Sequence, residues 1–329
     1  MSVTYLICKS HALESRLLSK SFVLELASSN TLGEFLDKLS QTSYGPRLRE
    51  SRDVWSVEKA LGEEFINRLA MLLKISYGNA RNFLKVFLKR NEIQNLIWIV
   101  RMKKRGASKE EIERELLPTW ELDGMDLTPL LEAESLDDVL SSLKRAGYEE
   151  LAKIKDDVLL IEAALKRSYY RQVFESINKL SIADKEDIRK LIGVELDLQN
   201  LRTCVGALMQ KYSREFVEKF LLENPRGISK RRLLALFSKG NPNLFIEYFP
   251  RYAPIIRLAI AGEDWRLELE SLKILKKKAD LKKIPKYISF FYVIRYLLDL
   301  EIEYRNLRSL ALAIYHEIPV ERRKRLLVL

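Results

Sequence analysis

A chain of 329 residues exceeds one ordinary small domain, and its 47% hydrophobic and 31% charged residues belong to a globular protein with a sizeable core. Only 12 Gly and 9 Pro stand among many Leu, Lys, Arg and Glu, a balance that favours long helices. The net charge of +11 attracts an anionic partner, whether nucleic acid, an anionic membrane surface or an acidic protein, and does not choose among them. Cys8 and Cys204, far apart in sequence, argue against a disulfide framework and for a reducing compartment.

Along the chain, Tyr5 to Leu18 has the spacing of an amphipathic helix, with Lys9, Arg16 and Lys20 spread through and after it instead of gathered ahead of an apolar core as in a signal peptide. The mature protein is therefore expected to begin near Met1. Next come Thr31-Leu32-Gly33-Glu34-Phe35-Leu36 and the turn Thr42-Ser43-Tyr44, followed by Gly45-Pro46. Leu61, Phe65, Leu69, Leu72 and Leu73 recur at three and four residues and predict a middle helix with one buried stripe. Glu92-Ile93-Gln94-Asn95-Leu96 opens a longer apolar helical run. Ser108 with Glu111 three residues later has the form of a capping box that starts a short closing helix. Leu116-Leu117 ends the sequence before Pro118.

The same order then returns. Asp197-Leu198-Gln199-Asn200-Leu201 and Glu303-Tyr304-Arg305-Asn306-Leu307 repeat the acid and Asn-Leu pattern at a period of about 105 residues. Short closing helices follow each, beginning at Ser213 and Pro319, and the apolar pairs Leu221-Leu222 and Leu326-Leu327 match Leu116-Leu117. Glu162 and Glu268 stand where Glu58 stands in the middle helix, and Gly147-Tyr148 echoes Ser43-Tyr44. In the third copy the early half is worn; Leu233-Leu234-Ala235-Leu236 leading to Phe245-Ile246-Glu247-Tyr248 is its expected descendant. The expectation is an all-α chain of three similar helical units, 1–118, 119–224 and 225–329, the third diverged. Alternation at period two is nowhere sustained, so no sheet is expected.

An Asn inside a helix costs roughly 0.5 kcal/mol relative to Ala, so its return at one place in each unit asks for a reason. The structural reading is that Asn95, Asn200 and Asn306 hydrogen-bond a neighbouring carbonyl and fix each long helix to its surroundings, with Glu92, Asp197 and Glu303 one turn earlier on the same face. The functional reading gives these residues a ligand.

Catalytic and metal chemistry find no foothold. His11 and His316 are the only histidines, both expected at the surface, and neither has a second ligand at metal spacing. No Gly-rich segment has the form of a P-loop or dinucleotide fingerprint, and Gly240-Asn241-Pro242-Asn243 reads as a turn. No catalytic residue, cofactor, metal or small-molecule substrate is assigned. The longest apolar stretches, Leu96 to Val100 and Ile288 to Ile294, fall far short of the ~20 residues that cross a bilayer. Lys273, Lys276, Lys277, Lys278, Lys282, Lys283 and Lys286 form one basic run and Arg322 to Arg325 another, read first as solvated helix faces. Tyr169-Tyr170-Arg171 and Lys286-Tyr287 through Arg295-Tyr296 pair aromatics with bases as nucleic-acid surfaces do, but at helical spacing such aromatics are more often core.

The threefold period, the segment Leu39-Ser40-Gln41-Thr42-Ser43-Tyr44, the run from Glu92 to Arg101 and the closing Glu303-Tyr304-Arg305-Asn306-Leu307-Arg308 together resemble the C subunit of archaeal and bacterial A/V-type ATP synthases, whose eukaryotic relative is the d subunit of the vacuolar ATPase. The resemblance covers essentially the whole chain. It implies a funnel-shaped, all-helical body of three units in a pseudo-threefold arrangement, a non-catalytic adapter in the central rotor. Such an adapter would sit peripherally at the cytoplasmic face of the membrane, joining the central-shaft subunits to the proteolipid ring so that rotation is coupled to proton or sodium transport. Nucleic acid is not an expected partner on this reading. The competing class is a basic helical nucleic-acid- or anion-binding protein, and an enzyme of unassigned chemistry is a third.

Overall fold

A computed structural model describes residues 3–154, 157–283 and 286–329, and the expected start at Met1 lies outside them. Every regular element among the described residues is helical, as the spacing of apolar residues requires. Four kinds of helix recur. Leading helices span Leu32–Ser40, Leu136–Arg145 and Lys230–Phe237, and middle helices Val54–Ile75, Val158–Ile177 and Asp264–Asp280. Long helices span Ile182–Met209 and Phe290–Tyr315; their counterpart in the first unit is Gly78–Leu88 and Arg90–Lys104, broken at Lys89. Closing helices span Lys109–Glu113, Arg214–Glu218 and Val320–Arg325.

Local chemistry starts these helices. Thr31, Ser135 and Ser229 each accept the amide three residues on at the head of a leading helix, and Ser108 and Ser213 do the same for two closing helices. The Ser108–Glu111 capping box forms in both directions. Each middle helix then buries a stripe. Leu61, Phe65, Leu69, Leu72 and Leu73 are all buried, and removing each such side chain from water contributes roughly 1.5–3 kcal/mol.

Each middle helix packs more extensively on the long helix that precedes it in the repeat than on the one that follows. Val158–Ile177 packs on Arg90–Lys104, Asp264–Asp280 on Ile182–Met209, and Val54–Ile75 most extensively on Phe290–Tyr315. Leading helices obey the same rule, so the packing crosses the expected boundaries near Pro118 and Pro225. One continuous apolar core runs through all three units, while a second joins Val23, Phe35, Leu39, Tyr44 and Leu61 near the N-terminus to Leu307, Leu310 and Ile314 of the last long helix. First and last parts of the chain therefore share a core of their own.

Close approach fixes the glycine at position 45. Gly45 follows Tyr44 at the start of a short helix, and a Cβ there would lie 2.1 Å from the Ser40 carbonyl oxygen. Gly206, inside the second long helix, has nothing within 4 Å of an added Cβ. Gly45→Ala is expected to destabilise the protein by about 2 kcal/mol or more, whereas Gly206→Ala stabilises it by about 0.5–1 kcal/mol through helix propensity. Chemical-denaturation midpoints of the two variants check both signs.

Candidate functional site

The three repeated asparagines make one and the same clasp. Asn95 donates through Nδ2 to the Leu117 carbonyl at 2.8 Å and accepts the Leu117 amide on Oδ1 at 3.1 Å. Asn200 does this with Leu222 at 2.8 Å in both directions, and Asn306 with Val328 at 2.8 and 3.0 Å. Each clasp ties a long helix to the segment just after its closing helix, and each spans 22 residues. That constant span corrects the apolar register at the end of the chain: Leu117 and Leu222 correspond to Val328, so the matching pair is Leu327-Val328 and not Leu326-Leu327.

The acids one turn earlier face the next unit. Glu92 accepts the Tyr148 hydroxyl at 3.1 Å and the Met125 amide at 2.9 Å. Asp197 accepts the Tyr252 hydroxyl and the Ile228 amide, both at 2.7 Å, and Glu303 accepts the Tyr44 hydroxyl at 2.7 Å and the Leu18 amide at 2.5 Å. Unit one thus holds unit two, unit two holds unit three, and unit three holds unit one. A cation attends every acid: Lys89 at 3.9 Å from Glu92, Arg251 at 3.1 Å from Asp197, and Arg68 at 3.3 Å from Glu303. Burial pushes the Glu303 carboxyl above its usual range, against the opposing pull of Tyr44, the Leu18 amide and Arg68. Burial likewise raises the Tyr44, Tyr148 and Tyr252 hydroxyls, with the facing carboxylate adding to the effect.

The third tyrosine is Tyr252, which corrects the expected descendant Tyr248. Tyr252 is buried, while Tyr248 is exposed and packs under Arg232 and Lys239. Leu233 to Leu236 do lie on the leading helix, as expected; the segment after it carries an additional turn, through Pro250, before the tyrosine comes into reach. A second correction concerns His11, which is half-buried rather than on the surface, its Nε2 2.8 Å from the Tyr287 carbonyl and its ring against Tyr287 and Tyr292.

Sequence reasoning passes over a second set of equivalent positions. Arg90, Glu195 and Glu301 each stand two residues before the repeated acid, one on each long helix, and they converge. Arg90 donates to Glu195 at 3.1 Å and lies 3.6 Å from Glu301; its Nε donates to Tyr169 at 3.1 Å. Tyr170 donates to the other Glu195 oxygen at 2.8 Å, and Arg305 pairs with Glu301 at 2.9 Å. Burial works against the Arg90 charge, but Glu195, Tyr169 and Glu301 together hold its pKa well above the usual. The spacing by two from Glu92, Asp197 and Glu303 is the available signal, hidden because the residue type changes from Arg to Glu.

Most of the clustered aromatics turn inward, while Lys273, Lys277, Lys278 and Lys283 of the lysine run stay exposed, as expected of solvated helix faces. Tyr169, Tyr170 and Tyr296 are buried, and Arg295 is held by Glu14, Asp280 and Asp299. In the lysine run, Lys276 pairs with Asp299, Lys282 and Lys286 with Asp187, and Lys283 with Glu14. Among the described residues no group of three His, Cys, Asp or Glu side chains could hold a metal ion, and no helix is long and apolar enough to cross a membrane. Cys8 is exposed and Cys204 buried, so they are not bonded to one another.

The sequence profile of the ATP synthase (C/AC39) subunit family matches residues 6–326. Among curated relatives, the A-type ATP synthase C subunit of Pyrococcus furiosus is 24% identical over 95% of this chain and 86% of its own. That of Archaeoglobus fulgidus is 22% identical over 99% of this chain and 96% of its own, and that of Desulfurococcus sp. is 26% identical over 96% and 87%.

Three variants separate the contacts described above. Asn200→Leu leaves the Leu222 amide and carbonyl buried without partners and is expected to cost about 2–4 kcal/mol in denaturation experiments; unchanged stability with a lost partner would return Asn200 to the ligand-binding reading. Tyr252→Phe deletes a hydroxyl bonded to a carboxylate and should cost about 2 kcal/mol, whereas Tyr248→Phe should stay within about 0.5 kcal/mol of wild type.

Proposed function

The chain belongs to the ATP synthase (C/AC39) subunit family, and from that premise we propose that it is the non-catalytic adapter of an A-type rotary ATP synthase, joining the central shaft to the membrane proteolipid ring. The observation that carries this reading is the closed order of contacts, Glu92 to Tyr148, Asp197 to Tyr252 and Glu303 to Tyr44. When one type of contact leads from each unit to the next and returns after three, the operation relating the units is close to a rotation by a third of a turn, without translation. A body made that way is a collar around an axis, the form of a socket.

Its task is mechanical. A joint that passes torque needs a body that does not yield, and here each unit is held to its neighbour by a buried carboxylate, a hydroxyl and a cation instead of by apolar contact alone. It also needs wide complementary surfaces, with total interface area above roughly 2,000 Å² of the obligate class. The protein acts peripherally at the cytoplasmic face of the membrane, and rotation passes through it to drive, or to be driven by, proton or sodium transport at the ring. Residues Asn95, Asn200, Asn306, Glu92, Asp197 and Glu303 serve this function by holding the collar together, not by touching a ligand.

Affinity purification of the full-length protein from detergent-solubilised membranes should recover shaft subunits and the proteolipid ring together, with no ATP hydrolysis by the isolated protein. Mass spectrometry that finds none of these subunits, or finds nucleic acid bound with a steep salt dependence, would overturn the proposal.

A further inference from the structure

Where the last middle helix gives way to the last long helix, the chain changes character. From Lys273 to Ile288 it carries seven lysines, a single acid, Asp280, and no arginine. Three large apolar side chains stand bare among them. Leu281, Tyr287 and Ile288 keep 67%, 54% and 85% of their surface in solvent, and Ile288 is the most exposed large apolar side chain among the described residues. The Lys286 amide donates to the Lys282 carbonyl at 3.0 Å, so the chain turns back on itself and brings Leu281 and Tyr287, which flank that bond, into one neighbourhood. Tyr287 is steadied from behind, its ring against His11 and its carbonyl 2.8 Å from His11 Nε2.

Carboxylates of the body hold part of the run. Asp187 serves Lys282 at 3.3 Å and Lys286 at 2.9 Å, Glu14 serves both Lys283 and Arg295, and Lys276 is bound to Asp299 at 2.7 Å. Because Asp187 and Glu14 each face two cations, these pairs do not neutralise the run. Lys277 and Lys278 have no carboxylate partner among the described residues. Beside them a surface cavity of about 380 Å³ is lined by Lys273, Lys276 and Lys277 and by the apolar Leu281, Val328 and Leu329. Asp280 also stands in its wall and is taken by Lys276 at 3.4 Å and Arg295 at 3.3 Å. Ammonium groups and aliphatic side chains thus share one surface.

We propose that this junction docks on an anionic lipid bilayer, with Leu281, Tyr287 and Ile288 entering the headgroup boundary while Lys277 and Lys278 meet its phosphates. The inference goes beyond the adapter reading, because it gives the protein a hold on lipid of its own, independent of any other subunit. Clustered lysines next to bare apolar side chains are the chemistry of a bilayer interface, where aliphatic groups leave water and ammonium groups stay at the anionic surface. Nucleic acid offers the phosphates but no apolar medium for Leu281 and Ile288. An acidic protein offers both, but a fixed carboxylate is best held by the planar fork of arginine, which this chain uses at Glu303 and Asp197. Here the run is lysine throughout, a hydrated point charge on a flexible stem, suited to anions that move laterally beneath it.

The test is co-sedimentation of the full-length protein with protein-free vesicles. Wild type should bind mixed phosphatidylglycerol and phosphatidylcholine vesicles at least about tenfold more tightly than pure phosphatidylcholine, and less tightly as salt rises. Leu281→Ser with Ile288→Ser leaves the charge unchanged and should weaken that binding by about tenfold or more. Lys277→Gln with Lys278→Gln should weaken it roughly thirtyfold, whereas the same charge removed from the second unit, by Lys144→Gln with Arg145→Gln, should change it by less than about twofold. All these side chains are at least partly exposed, so melting temperatures should match wild type. Equal losses from the two charge-removing pairs, with none from the apolar pair, would reduce the effect to net charge and overturn the proposal. So would wild-type protein that ignores the mixed vesicles. Unchanged vesicle binding with loss of duplex DNA, or of membrane subunits in a pull-down, would overturn it in favour of nucleic acid or a protein partner. Vesicle binding as expected from a protein that recovers no rotary subunits would remove the adapter reading and leave this one standing.

Discussion

Everything in this molecule hangs on a carboxylate taken out of water between two units. Glu92, Asp197 and Glu303 are all buried, and an ionised carboxylate in such a place is costly unless its oxygens are filled. Each is given a tyrosine hydroxyl, a backbone amide and a cation, and hydroxyl and amide both come from the following unit. The stabilisation therefore exists only when two units are docked in one register. Apolar surfaces would allow neighbouring helices to slide by a turn at small cost; a two-sided carboxylate forbids it. Where the incoming loop crosses Asp197 the residue is Gly227, because a Cβ there would lie 2.3 Å from the carboxylate oxygen.

A threefold repeat also meets a conflict. The equivalent positions Arg90, Glu195 and Glu301 converge, and three like charges there would repel. The chain resolves this by changing residue type at one copy: Arg90 stands where Glu195 and Glu301 stand, and it binds both. Burial with the neighbouring Arg90 and Arg308 charges lowers the Arg305 pKa to about 10, and Arg305 in turn pairs with Glu301. Symmetry is kept where contacts lie between consecutive units and is broken where all three meet.

Much of this is legible in the sequence. The period, the Asn-Leu pairs, the acid one turn earlier and the capping serines are local, and local signals survive in one sequence. Tyr44 and Tyr148 stand out as repeat markers, but nothing local joins Tyr44 to Glu303 across 259 residues. Tyr252 escapes because its unit inserts a turn before it, so a fixed offset from the leading helix ends on Tyr248. The packing of each middle helix on the preceding long helix is also hidden, since an amphipathic stripe states that a face is buried and not against what. His11 shows the same limit: a lone histidine on an amphipathic helix reads as a surface residue until Tyr287 and Tyr292 close over it.

The three joints are not equal in what the chain itself contributes. Between the first and second units and between the second and third, the polypeptide is continuous and holds the partners near each other. The joint from the third unit back to the first closes a loop of nearly the whole chain, and closure entropy grows with the logarithm of loop length. Extra interactions gather at that joint. Arg68 binds Glu64, Glu303 and the Ser43 hydroxyl at once, with its guanidinium over the Tyr44 ring. Arg323 of the last closing helix, itself buried, donates to the Ser29 and Ala27 carbonyls at the other end of the sequence. Arg308 reaches Glu58 and Glu115, Arg295 reaches Glu14, and the second apolar core lies entirely across this joint. The sequence places dense non-covalent ties where chain continuity supplies none, so that the joint with the largest closure entropy is not the first to open.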